Sequence, residues 1–78
     1  MARVREAKRS DISVLEGKRN VLGGPSFSAP ALEMFVLASD FSVLVAGGSG
    51  IVAYHEGKGG KSRILLLVGN ANDVLGGV

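Results

Sequence analysis

Twelve glycines cut this 78-residue chain into short apolar runs, and that spacing limits what it can build. Glycine supplies positive φ in turns and weakens helix interiors, so short apolar runs between glycines predict strands joined by turns. The expected strands are residues 12–15, 20–22, 32–37, 41–45, 51–54, 64–68 and 74–75. The clearest turn is in "VAGGSGIV", residues 45–52, where small residues separate two β-branched runs. "GGPSFSAP" and "HEGKGGKSR" are two further connections, the first closed to regular structure by Pro25 and Pro30.

A short internal echo organises these segments. "SDISVL" at 10–15 returns as "SDFSVL" at 39–44, with a single difference. After each copy come a glycine-containing link, a short apolar piece, a small-residue loop and a long apolar run. Those long runs are residues 32–37 and 64–68, and each ends at a small-polar-Asp corner, "ASD" or "AND". Read as a duplication, residues 10–38 and 39–73 are two related three-stranded units. The expected fold is then all-β: a small six-stranded barrel or sandwich, whose closure hides its strand edges. A basic N-terminal arm, residues 1–9, precedes a single domain, residues 10–78. The alternative is an α+β fold in which residues 31–39 form a helix. Ala, Leu, Glu and Met are good helix formers, and Pro30 suits a first helical turn.

Composition excludes several functions. The chain has no Cys and one His, so a zinc site of three or four nitrogen and sulfur ligands has nothing to draw on. No disulfide can staple a chain this small, and the core must come from apolar burial within one chain or shared between subunits. No apolar run reaches the roughly 20 residues of a membrane-spanning helix. The N-terminal stretch "MARVREAKRSD" lacks a signal peptide's apolar centre. For a chain of natural origin the expected compartment is cytoplasmic. Thr, Gln, Trp and Cys are all absent, as in a simplified or artificial alphabet.

Three groups of residues could carry chemistry. Arg3, Arg5, Lys8, Arg9, Lys18 and Arg19 concentrate positive charge in the first twenty residues, a pattern that could contact nucleic-acid phosphates without reading sequence. Gly57, Gly60, Lys61 and Ser62 end like a phosphate-binding loop, GxxxxGK[ST]. His55 stands where the first glycine should be, and a strand, not a helix, is expected after them. Ser49, His55 and an aspartate supply the residue types of a nucleophilic triad without its motif. Asp11, Asp40 and Asp73 recur at matching corners, where aspartate makes side-chain-to-backbone turns more readily than a cation site.

The tail "SRILLLVGNANDVLGGV" resembles the last strand of ubiquitin-like sulfur carriers, the closing strands of Sm-like rings, and a stretch of PDZ domains. One tail that resembles three unrelated families implies a strand and a turn and assigns no family. The function expected from sequence is therefore a non-catalytic structural or interaction module. It would use no cofactor or metal and self-associate through apolar strand faces, as a dimer. A nucleic-acid-binding module using the basic arm is the alternative.

Overall fold

A computed structural model describes residues 4–57 and 60–75. Its elements, in chain order, are β1 (Arg5–Glu6), a 3-10 turn (Arg9–Asp11), α1 (Ile12–Leu15), α2 (Ala29–Leu37), β2 (Phe41–Ala46), β3 (Ser49–His55), β4 (Ser62–Val68) and α3 (Ala71–Val74). The four strands form one open antiparallel sheet in the order β1-β2-β3-β4. The fold is α+β, which overturns the six-stranded barrel or sandwich.

The three strands after residue 40 arise where the glycine spacing places them. Ala46 pairs with Ser49 across a two-residue turn, Gly47-Gly48. Gly47 sits at φ 62°, the positive value that short hairpin connections demand at their first central position. β3 then pairs with β4, with an irregularity between Val52 and Ala53 that leaves Leu65 without a partner of its own.

The other expected strands fail for local reasons. Residues 32–37 belong to α2. Pro30 lies in the helix's first turn, where its missing N–H costs nothing, and the Leu32 N–H donates to the Ser28 carbonyl at 3.0 Å. Residues 12–15 form the single turn of α1, and Val74 closes α3. Residues 20–22 form no strand. Asn20 nonetheless does a strand's work, because its side chain donates to the Leu65 carbonyl at 3.1 Å and accepts from the Leu67 N–H at 3.4 Å. The Val21 N–H adds a bond to the Leu67 carbonyl at 2.8 Å. The outer edge of β4 is thereby occupied. The N-terminal arm is part of the sheet as well: β1 pairs Arg5 with Val45 and Glu6 with Leu44.

The two copies of the repeated hexamer therefore differ in conformation. Ile12–Leu15 is helix, whereas the matching residues 41–44 are strand. The two related three-stranded units do not exist in the folded chain.

Both faces of the sheet are covered. Val43, Val45, Val52, Leu66 and Val68 pack on one face with Ile12 and Leu15 of α1 and Leu32 of α2. Leu44, Ala46, Ile51 and Leu67 pack on the other with Val74 of α3. All four aromatic residues join the first face as one chain. Ring centroids lie 5.3 Å apart for Phe27–Phe35, 4.7 Å for Phe35–Phe41 and 5.2 Å for Phe41–Tyr54. These contacts tie the loop before α2, the helix and two strands into one cluster.

Gly50 is the closest approach in this core. A Cβ there would lie 2.3 Å from Leu15 Cδ2 and 3.3 Å from its Cγ. Leu15 is 1% exposed and has no room to retreat. Gly50→Ala is expected to destabilise the fold by about 1–3 kcal/mol, the usual cost of overpacking, measured by urea denaturation. Asn20→Ala should cost about 1–3 kcal/mol by leaving buried backbone groups at the β4 edge unpaired. The same titration checks it.

Candidate functional site

The strongest polar constellation lies across the sheet at the end away from the Gly47-Gly48 turn. Ser42 belongs to β2, His55 to β3 and Ser62 to β4. His55 pairs directly with Ser62, and Ser42 pairs with Ala53, two residues before His55 on the same face. The imidazole bridges the two hydroxyls, with Ser42 Oγ 2.6 Å from Nε2 and Ser62 Oγ 2.7 Å from Nδ1. The His55 backbone N–H donates to the Asp40 carbonyl at 2.8 Å, which fixes the ring's base. Ser42 and His55 are half-buried and Ser62 is exposed.

Next to Ser42 the outer edge of β2 runs past the end of β1. A hollow of about 140 Å³ opens there, lined by Glu6, Ala7, Val36, Phe41, Ser42, Val43 and Leu44. Ser42, in contact with the imidazole, is one of the residues that border this hollow.

Ser49, the serine first associated with His55, is elsewhere. It is buried at the start of β3, accepts from the Asn70 N–H at 3.0 Å and donates to Asp73 Oδ2 at 2.9 Å. Asn70 in turn accepts from the Asn72 N–H at 2.9 Å. This network anchors α3 to the sheet and leaves Ser49 and His55 in separate clusters. The three aspartates also part company. Asp73 binds Ser49, Asp11 binds Arg5, and the Asp40 carbonyl receives His55. Among the described residues no three of His, Cys, Asp and Glu gather as a metal site.

The basic residues are partly neutralised. Arg5 grips Asp11 with two parallel bonds, Nη1 to Oδ2 at 2.7 Å and Nη2 to Oδ1 at 2.8 Å. The Lys8 N–H also donates to Asp11 Oδ2, at 2.8 Å. Arg9 pairs with Glu33 of α2 at 2.5 Å. Lys8, Lys18 and Arg19 are exposed and form no ion pair among the described residues. Arg3 lies outside the described residues. A phosphate at this arm would compete with Asp11 and Glu33 for the two arginines.

The turn that ends like a phosphate-binding loop is built differently from one. Gly57 and Gly60 belong to the β3–β4 connection, and the Glu56 N–H donates to the Lys61 carbonyl at 3.2 Å. Ser62 opens a strand and spends its hydroxyl on His55. A helix start, which would aim several N–H groups at an anion, is lacking here.

Sequence reading singled out His55 but missed Ser42 altogether and named Ser62 only as part of a turn that could hold an anion. The hairpin register could have found Ser42. Once Gly47-Gly48 is the turn, Ser42 and His55 must share a face.

The guanidinium of Arg5, then the Lys8 N–H, hold the Asp11 carboxyl well below the usual carboxylate range, against the opposing effect of burial. The unfolded chain protonates this group near pH ~4. Its stabilising contribution is therefore complete above that pH and is lost as pH falls below it. Asp11→Asn is expected to lower the melting temperature at pH 7 and to flatten its dependence on pH below ~4. Thermal melts of both chains across that range check it.

No family model, curated protein or solved structure matches this chain, so its function is argued from the geometry above.

Proposed function

We propose that this protein is an interaction module that pairs with a second copy of itself through helix α2. The apolar strand faces first expected to serve this purpose are covered by the chain's own helices. Helix α2 is apolar on both sides. Leu32, Phe35 and Val36 turn toward the sheet, while Pro30, Met34 and Leu37 form an exposed stripe at i, i+4 and i+7.

The observation that carries this reading is the exposure of that stripe: Met34 is 71% and Leu37 70% exposed. Scattered apolar residues on a surface are ordinary, but a helical stripe of them is the geometry of a packing seam. A second copy is the occupant that best suits it. The stripe offers only apolar groups, so it complements itself across a two-fold axis. The single charge on α2 is Glu33, three residues from Pro30 and four from Leu37, and it is already paired with Arg9. That ion pair borders the seam on one side and leaves no unpaired charge of the helix facing a second copy. A nucleic-acid-binding module using Lys8, Lys18 and Arg19 is the second reading. It draws on fewer cations than the sequence offers.

Light scattering after size-exclusion chromatography tests the pairing. The native chain is expected at twice its 8.0 kDa monomer mass. The double variant Met34→Lys, Leu37→Lys should run as a monomer with an unchanged circular dichroism spectrum. A native chain that stays monomeric at high concentration, or a double variant that still dimerises, would overturn the proposal. Binding to RNA that weakens steeply with salt, in a chain that remains monomeric, would favour the second reading.

A further inference from the structure

We infer that Ser42 is an activated nucleophile, able to take an acyl group from an activated ester with His55 as its base. Nucleophilic serine chemistry needs three things in contact: a hydroxyl, a base within hydrogen-bond reach, and a third group that orients the base. The row across β2, β3 and β4 supplies all three. Ser42 Oγ is 2.6 Å from Nε2, and Ser62 Oγ is 2.7 Å from Nδ1.

Neutral imidazole carries one N–H and one lone pair. With Nδ1–H donating to Ser62, the Nε2 lone pair faces the Ser42 hydroxyl. The opposite tautomer would make Ser62 the nucleophile. The hollow decides between them, because Ser42 borders it and Ser62 does not. Of the hollow's lining, Leu44 and Glu6 share Ser42's face of the sheet and flank the place of an acyl group of a few carbons, while Val36 and Phe41 line the hollow from the other face. Ser62 stands instead at the exposed start of β4 and serves to hold the ring. The backbone keeps the three groups in place, since β2 pairs with β3 in unbroken register and β3 pairs with β4 from Ala53 to His55, beyond the irregularity at Val52.

The step balances as follows. Ser42 Oγ attacks the ester carbonyl carbon while His55 Nε2 accepts the hydroxyl proton. The bond from that carbon to the leaving oxygen then breaks, and the leaving alcohol takes the proton from Nε2–H. The products are an ester on Ser42 and one free alcohol. Water activated by the same imidazole can hydrolyse the ester and return the serine. Acid and base catalysis of this kind accelerates reactions by about 10²–10⁴-fold.

The test is acetylation by p-nitrophenyl acetate. Release of p-nitrophenolate gives the rate, and mass spectrometry of peptides gives the position. The acetyl group is expected on Ser42. His55→Ala should slow its appearance there by about 10²-fold or more, and Ser42→Ala should abolish it. Ser62→Ala should slow it without moving it. Circular dichroism melts of each variant separate loss of reactivity from loss of fold. Acetyl groups confined to lysines or found on Ser62 would overturn the assignment. So would an unchanged rate at Ser42 in a folded His55→Ala chain.

Discussion

Residues 49–53 of β3 are buried without a break, and the rest of the structure answers to that constraint. A strand with one wet face alternates polar and apolar residues; one covered on both faces does not. Such a strand obliges so short a chain to supply two layers of cover. Helices α1 and α2 provide one, and the single turn of α3 provides the other. The glycine within β3 is part of the same arrangement. Gly50 leaves space for the Leu15 side chain directly over the backbone, so α1 reaches the sheet at a distance no larger residue would allow.

Among the described residues three polar ones are buried, and each fastens a segment that has little regular structure of its own. Asp11 holds the N-terminal arm through Arg5. Asn20 holds the loop before α2 against β4 and also donates to the Pro25 carbonyl at 3.2 Å. Ser49 holds α3. No buried side-chain polar atom among the described residues lacks a partner. Apolar burial alone would leave these segments free to slide. The polar contacts are directional and fix one register.

The hairpin was legible because its signal is local. Gly47-Gly48 sits between β-branched runs, and the strands on either side follow from it. The barrel was not, and the repeated hexamer explains why. The shared Ser-Val-Leu forms helix at 13–15 and strand at 42–44, so local preference did not decide either conformation. The first copy is clasped to Arg5 through Asp11 and packs Leu15 onto Gly50; the second continues into the hairpin turn. The tertiary partner makes the difference, and symmetry of sequence was a poor guide to symmetry of structure. The same holds at the polar row. His55 could be picked out as the single histidine, but its partners are named by cross-strand register and not by spacing along the chain.

β1 gives the sheet a vulnerable side. Its two residues must find β2 across the whole stretch from Glu6 to Leu44, and a contact that distant carries a large loop-closure cost for little pairing in return. Strands of this kind open before the sheet as a whole does. When β1 lifts, the outer edge of β2 is bare from Val43 to Val45, and an unpaired edge rich in valine and leucine is a template for strands of other chains. By tying β1 to the 3-10 turn, the Arg5–Asp11 clasp favours the paired state in which that edge is covered.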